Sequence, residues 1–131
     1  MQVLLDTQSI IWSLEDRGKV SLKAQQAMLT ADTVYVSPIS FYEMGIKLRI
    51  GRDIGSKRPL DDIIAESLES GFKWLPLRRQ HITAYQKIPL FEDHRDPFDR
   101  MILAIGLVEE LTIVSSDHNF PRYSDFVQTV W

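Results

Sequence analysis

Residues 96–117 read DPFDRMILAIGLVEELTIVSSD, and this stretch decides the fold that the sequence predicts. Apolar side chains recur at helical spacing over 97–110, which predicts an amphipathic helix. The apolar run 112–114 follows almost at once and predicts a short buried strand. This strand candidate ends in Ser115-Ser116-Asp117, so polar side chains stand at its carboxyl end. A helix that leads directly into a buried strand is typical of α/β domains with a parallel sheet.

The same alternation extends along the rest of the chain. Short apolar or β-branched runs predict further strands at 3–5, 34–36, 72–77 and 126–130. Helix-forming stretches with apolar side chains on one face predict further helices at 21–29, 41–50, 60–68 and 80–87. Strands that alternate with helices in this way predict an α/β fold with a mostly parallel sheet.

The composition limits the class of protein. The chain has 131 residues, which predicts one domain over 1–131. It contains no cysteine, which excludes a disulfide framework and a thiolate metal site. A formal net charge of −3 argues against a protein that holds nucleic acid by bulk positive charge. Because neither a signal peptide nor an apolar run of membrane-spanning length is visible, we expect a cytoplasmic protein without a membrane partner.

Four acidic residues occupy one kind of position in this pattern. Asp6 and Asp117 directly follow strand candidates, and Glu43 and Asp99 lie in the first turn of helix candidates. The carboxyl ends of parallel strands and the amino ends of the following helices share one edge, where α/β proteins bind ligands. Four carboxylates meeting there would repel one another unless a cation lay among them. Oxygen ligands of this type suit Mg²⁺ or Mn²⁺.

Each of these residues also has a purely structural interpretation. Ser40 and Glu43 have the spacing of a capping box at the start of a helix. Asp96-Pro97-Phe98-Asp99 likewise fits an N-cap at Asp96, with proline at the first helical position. Asp6 and Asp117 could simply begin turns after their strands. Two histidines, His94 and His118, lie near the predicted site and are expected to be surface polar residues rather than metal ligands.

In order and spacing, these segments resemble the PIN domain family over nearly the whole chain. The resemblance is carried by VLLDT at 3–7, the stretch 36–43, HRDPFDRMILA at 94–104, LTIVSSD at 111–117, and Phe120. More narrowly, the chain is similar to the VapC toxins of bacterial and archaeal toxin–antitoxin pairs. The resemblance implies a three-layer α/β/α domain with a central, mostly parallel sheet of four to five strands.

The resemblance also implies an activity, that of an Mg²⁺- or Mn²⁺-dependent endoribonuclease. The acidic positions of the family fall on Asp6, Glu43, Asp99 and Asp117, with Asp96 as a less certain fifth. Hydrolysis of an RNA phosphodiester bond by a metal-activated water is implied, with a 5′-phosphate and a 3′-hydroxyl as the products. Asp6 is the first candidate for direct metal contact, and Asp99 or Glu43 would orient the water.

Supporting residues and partners follow from the same resemblance. Ser116 and Thr7 would hydrogen-bond the carboxylates, whereas Gln8 departs from the Asn or His that relatives often carry there. A VapB-like antitoxin is the implied partner, with a C-terminal segment that wraps the toxin and inserts a basic side chain near the acidic site. A homodimer is also implied.

Basic residues around the predicted site would bind the RNA phosphates. The candidates are Arg95, Arg100, Lys47 and Arg49. The alternative is a solvated, charged helix face and loop, which is the usual meaning of a cluster such as 47–58.

Two other functions stay open at this point. One is a PIN nuclease in RNA processing or DNA repair, which the presence or absence of an adjacent short open reading frame would distinguish from a toxin. The other is a PIN-like module that binds nucleic acid without cleaving it. Retention of all four carboxylates argues against the second.

Overall fold

A parallel sheet of five strands organises the chain, for which the computed structural model describes all 131 residues. The strands are β1 (Gln2–Leu5), β2 (Thr33–Val36), β3 (Lys73–Trp74), β4 (Thr112–Val114) and β5 (Thr129–Val130). The helices are α1 (Thr7–Glu15), α2 (Leu22–Thr30), α3 (Pro38–Arg49), α4 (Leu60–Glu69), α5 (Arg79–Ala84) and α6 (Pro97–Glu109). Every strand pair is parallel, in the order β3-β2-β1-β4-β5. The predicted α/β architecture and its parallel sheet are therefore confirmed.

Alternation of side chains along the central strand builds two cores, one on each face of the sheet. Val3 and Leu5 of β1 are fully buried in a cluster with apolar side chains of α1 to α4. Leu4, between them, points to the opposite face and packs into a second cluster with residues of α5 and α6. Because both faces are covered at the centre of the sheet, β1 and β4 contain short continuous apolar runs, which is the pattern that predicts them.

Helix α1 is the main element that the sequence pattern does not predict. Its inward face carries Ser9 and Ser13 beside Ile10 and Ile11, so the apolar periodicity is interrupted. The Ser9 hydroxyl donates to the Val114 carbonyl at 2.9 Å, which satisfies a buried polar group inside the core. Tertiary contact, rather than a continuous apolar face, therefore holds this helix.

Two predicted strands are shorter than their apolar runs. In the run 72–77 only Lys73–Trp74 pairs with β2. In the run 126–130 only Thr129–Val130 pairs with β4, because the backbone N–H groups of Phe126 and Val127 both donate to the Tyr123 carbonyl. These turn hydrogen bonds close the 3-10 helix Phe120–Tyr123 and leave the last two residues of the run for the sheet.

The strand order places one crevice at the centre of the sheet. β1 lies between β2 and β4. The strand order reverses at β1, because β2 and β3 lie on one side of it in the sheet and β4 and β5 lie on the other. Ligands of open α/β sheets bind beyond the carboxyl ends of the strands at such a reversal. None of the helices combines the length and the apolarity needed to cross a membrane.

Candidate active site

A polar cavity of about 420 Å³ opens at this reversal, beyond the carboxyl ends of β1 and β4. No hydrophobic residue lines it. Its walls are formed by Asp6, Thr7, Gln8, Glu43, Lys47, Asp96, Asp99, Ser116, Asp117, His118 and Asn119. The fold thus brings together all five carboxylates that the sequence singles out, although they come from four separate segments of the chain.

Asp6 lies at the floor of the cavity and is 8% exposed. Its Oδ1 accepts from the backbone N–H of Ser9 at 2.9 Å, which caps α1, and its Oδ2 accepts from the Ser115 hydroxyl at 2.5 Å. Burial raises the pKa of the Asp6 carboxyl, the hydrogen bonds from Ser115 and Ser9 oppose that rise, and the charge of Asp117 adds to it. Asp6 is therefore both a helix cap and a buried acid that faces a second carboxylate.

Glu43 projects into the cavity from α3, and it does not cap that helix. α3 begins at Pro38, and the Ser37 hydroxyl accepts from the N–H of Ile39. The capping box that Ser40 and Glu43 would form is absent. Ser40 lies inside the first turn of α3, and its buried hydroxyl has no hydrogen-bond partner.

Both carboxylate oxygens of Glu43 are held by side chains of the cavity wall. The Thr7 hydroxyl donates to Oε1 at 2.7 Å, and the Lys47 ammonium lies 2.8 Å from Oε2. The residue is 5% exposed. The orientation of the Glu43 carboxylate is therefore set by the neutral Thr7 hydroxyl and by the Lys47 ammonium. Lys47 lies one helical turn further along α3.

Asp96 and Asp99 have different roles at the start of α6. Asp96 caps the helix through Oδ1, which accepts from the N–H groups of Phe98 and Asp99 at 2.8 and 3.0 Å. Pro97 occupies the first helical position, as the sequence pattern predicts. The Asp99 side chain makes no capping bond, and its Oδ2 lies 3.1 Å from Nε2 of His94.

The pKa of the Asp99 carboxyl is also raised. Burial raises the pKa of its carboxyl from 3.8 to about 7, the hydrogen bond to His94 opposes the rise, and the charges of Asp96, Asp117 and Glu43 add to it. A carboxyl whose pKa lies this close to neutral reflects burial beside three other carboxylates, and such raised values are typical of functional sites.

The β4 end of the cavity is built by Ser115 and Asp117. The N–H of Asp117 donates to the Ser115 hydroxyl at 3.1 Å, and Asp117 Oδ1 accepts from the N–H of Asn119 at 2.8 Å. The hydroxyl that bonds Asp6 thus belongs to Ser115, whereas Ser116 is exposed on the cavity wall. Ser115 and Ser116 lie directly beyond β4, where Ser115 is buried and Ser116 is exposed.

His94 is the functional candidate that sequence reasoning misses. The sequence predicts it at the surface, yet it is 5% exposed, and its Nδ1 lies 2.7 Å from the hydroxyl of Tyr123. Ligand atoms of His94, Asp99 and Asp117 all lie within 4.8 Å of one another. Its position two residues before the cap of α6 is the only sequence signal, and this does not indicate burial. His118, by contrast, has a side chain that is 92% exposed.

The four basic candidates fall into different environments. Lys47 lines the acidic cavity, and Arg95 is exposed beside the start of α6. Arg49 is exposed on α3 and lines an apolar groove next to Phe41. Arg100 is 3% exposed, so the expectation that it contacts RNA is not supported.

Arg100 is held inside the protein by three hydrogen bonds from its side chain. Its guanidinium donates to the carbonyls of Pro89 and Ile88 at 2.6 and 3.0 Å and to the Tyr85 hydroxyl at 3.3 Å. The guanidinium carbon also lies 5.0 Å from the centre of the Tyr85 ring. Arg100 therefore ties the segment before α6 to the helix itself.

We expect Arg100→Met to lower the free energy of unfolding by about 2 kcal/mol or more, because it leaves two carbonyl groups without donors. Arg95→Met is the matched control from the same motif, since Arg95 is exposed. Thermal unfolding of the two variants measures the difference. Equal Tm values for both would contradict the structural role of Arg100.

The donor set of the cavity fits a divalent cation. Carboxylate oxygens of Asp6, Asp99 and Asp117 face a space that contains no hydrophobic side chain. The single basic side chain on its wall other than histidine, Lys47, is already paired with Glu43. The raised pKa values of Asp6 and Asp99 reflect a charge repulsion and burial that a bound cation would relieve. Hard oxygen ligands without cysteine suit Mg²⁺ or Mn²⁺ better than softer metals.

Comparisons with known proteins agree with this architecture. The sequence model of the PIN domain family matches residues 3–125. No curated protein sequence matches the chain at a significant level. Among solved structures, VapBC2 from Rickettsia felis bound to a promoter DNA fragment superposes with a TM-score of 0.69 at 13% identity, covering 100% of this chain and 99% of that one.

Two further solved structures have the same fold over their whole length. VapBC-1 from nontypeable Haemophilus influenzae gives a TM-score of 0.67 at 19% identity, with 99% and 97% of the two chains covered. FitAcB from Neisseria gonorrhoeae gives 0.63 at 21% identity, with 100% and 97% covered. At these identities the likeness establishes the fold, and the site must be argued from its own residues.

Proposed function

The chain belongs to the PIN domain family, and from this membership and its acidic cavity we propose that it is a metal-dependent endoribonuclease. The observation that carries the proposal is the convergence of Asp6, Glu43, Asp99 and Asp117 at the carboxyl edge of the sheet. The matched region covers 3–125, and we take 1–131 as one PIN domain.

Asp6, Asp99 and Asp117 would hold one or two Mg²⁺ or Mn²⁺ ions, with Asp96 contributing through the oxygen that its capping bonds leave free. A divalent cation in such a site acidifies a coordinated water and neutralises the charge that develops on a phosphodiester. Glu43 is the residue we assign to orienting the attacking water, since Thr7 and Lys47 fix both of its oxygens.

RNA reaches a negatively charged cavity only if basic groups offset the repulsion. Lys47 stands on the cavity wall with about a third of its side chain exposed, and Arg95 is exposed nearby. We assign both to phosphate contacts, and Arg49 to the outer rim. Their small number agrees with the net charge of −3: the protein binds RNA at a local rim rather than by bulk charge.

The cellular role that we propose is that of a toxin in a VapBC-like module, with a VapB-like antitoxin as its partner. The similar solved structures are of VapBC and FitAB proteins, which supports this choice. An apolar groove on α3 and α4 offers a seat for an antitoxin segment, because Tyr42 and Ile50 are each 64% exposed there. We also propose a homodimer, on the basis of the family alone.

Cleavage of a structured RNA by the purified protein tests the proposed function. We expect cleavage with Mg²⁺ or Mn²⁺, complete loss with EDTA, and recovery when excess Mn²⁺ is added back, because the proposed mechanism depends on a cation to lower the pKa of the attacking water. A DNA of the same sequence tests the preference for RNA. Activity that survives EDTA would contradict the metal-dependent mechanism.

A further inference from the structure

A chain of hydrogen bonds connects the acidic cavity to the protein core through His94. Its Nε2 lies 3.1 Å from Oδ2 of Asp99, and its Nδ1 lies 2.7 Å from the hydroxyl of Tyr123. His94 is 5% exposed, and Tyr123 is fully buried. The 3-10 helix that carries Tyr123 follows β4, so these hydrogen bonds link two segments that are distant in the sequence.

The chemistry of the partners decides which ring nitrogen carries the proton. When the Asp99 carboxyl is ionised, as metal binding requires, it can only accept hydrogen bonds, so the bond to His94 then requires a proton on Nε2. A neutral imidazole then presents a lone pair at Nδ1, which the Tyr123 hydroxyl satisfies as a donor. The direction of donation therefore runs from Tyr123 to His94 and from His94 to Asp99.

We propose that His94 is a positioning residue, which orients the Asp99 carboxylate for the metal through its Nε2–H and takes its own tautomer from Tyr123. The proposal rests on the metal-dependent function above. Carboxylates that bind metals depend on such outer hydrogen bonds for their orientation, and loss of the outer partner typically lowers metal affinity.

A direct metal-binding role for His94 makes the opposite demand on the ring. To coordinate a cation near Asp99 and Asp117, Nε2 would need its lone pair, and the proton would sit on Nδ1 and be donated to Tyr123. The bond from Nε2 to Asp99 would then be lost. The tautomer of His94 therefore separates the two roles.

His81 provides a matched control elsewhere in the fold. It is fully buried, its Nδ1 accepts from the N–H of Arg78 at 2.9 Å, and its Nε2 lies 2.8 Å from Oε1 of Glu109. This arrangement has the same kind of partners as that of His94, but the carboxylate bonded by His81, Glu109, lies outside the acidic cavity, whereas Asp99 lines it. Disrupting it costs stability and leaves the metal site intact.

Mn²⁺ binding by calorimetry, together with Tm, tests the proposal on the full chain. We expect His94→Leu to lower Mn²⁺ affinity by about 10-fold or more, and His94→Gln to recover most of the loss, because its amide N–H can replace Nε2–H. Tyr123→Phe should give an intermediate loss. His81→Leu should lower Tm without changing Mn²⁺ affinity.

The tautomer supplies a readout that needs no metal. A ¹H–¹⁵N correlation spectrum of the metal-free protein at pH 8.5 should show His94 protonated at Nε2, and Tyr123→Phe should weaken that preference. Protonation at Nδ1 in the wild-type protein would overturn the proposal.

The calorimetric outcomes also distinguish the inference from the function on which it rests. Wild-type protein that binds no Mn²⁺ would overturn the proposed function, and this role of His94 with it. Wild-type protein that binds Mn²⁺ with an affinity unchanged in His94→Leu would overturn the positioning role alone. Equal losses of affinity with Leu and with Gln at this position would likewise overturn the positioning role.

Discussion

Asp6→Asn is expected to abolish RNA cleavage while leaving the fold intact. The amide oxygen of asparagine can still accept from the N–H of Ser9 and cap α1, and the amide N–H₂ can donate to the Ser115 hydroxyl. What is lost is the negative charge at the floor of the cavity. Loss of a residue that hydrogen-bonds a metal ligand already lowers metal affinity or activity by about 10- to 100-fold. Loss of the ligand charge itself should therefore lower the cleavage rate by at least about 100-fold.

The measurement is the initial rate of RNA cleavage at saturating Mn²⁺, with the Tm of each variant recorded beside it. Asp125→Asn serves as the control, because Asp125 is an exposed carboxylate outside the cavity. It removes one charge without touching the site, and we expect wild-type rates from it. Cleavage by Asp6→Asn at the rate of the control would contradict the assignment of Asp6 as a metal ligand.

Asp99→Asn is expected to abolish cleavage and to raise the Tm of the metal-free protein at pH 8. The pKa of Asp99 is raised to about 7 from 3.8, so the folded protein favours the protonated carboxyl more than the unfolded chain does. Stability is then lost as pH rises from about 4 to 7, and the full penalty is present above that range. We expect a gain of about 1 to 4 kcal/mol from removing the charge, on the basis of the shifted pKa and the partial exposure of the side chain.

The pH dependence of the difference isolates this group from the other titrating residues. Tm of wild-type and Asp99→Asn protein, measured without metal from pH 4 to 8.5, should converge near pH 4 and separate progressively up to about pH 7. Added Mn²⁺ should raise Tm in the wild-type protein far more than in the variant, since binding to the folded state adds stability. A variant that is less stable than wild-type protein at pH 8 would contradict the crowding of charge at Asp99.

The expected result for Asp99→Asn, higher stability together with loss of cleavage, would follow from the burial of carboxylates in the cavity. The buried carboxylates of Asp6 and Asp99 destabilise the metal-free fold when they are ionised, and the hydrogen bonds that Asp6 accepts from Ser9 and Ser115 offset part of this cost. Functional sites commonly carry such a conflict between stability and activity. The net charge of −3 arises partly from this cavity, because five of the eighteen acidic residues line it.

The sequence by itself determined the position of the site. The apolar runs that become β1 and β4 are buried on both faces, which makes them readable as strands and places Asp6 and Asp117 at their ends. Helical periodicity behind Asp96-Pro97 likewise located the start of α6 and its N-cap. Parallel strands share one carboxyl edge, so the convergence of the acidic residues could be predicted without coordinates.

Only the tertiary structure decided what each side chain near that edge does. Ser115 rather than Ser116 bonds Asp6, because the chain beyond β4 buries Ser115 and leaves Ser116 exposed. Arg100 turns into the core, whereas Arg95, in the same motif, is exposed. His94 is buried and hydrogen-bonds Tyr123, which lies 29 residues further along the chain. Local periodicity reports which face of an element is apolar, but the partner of a buried polar group depends on distant segments that meet only when the chain has folded.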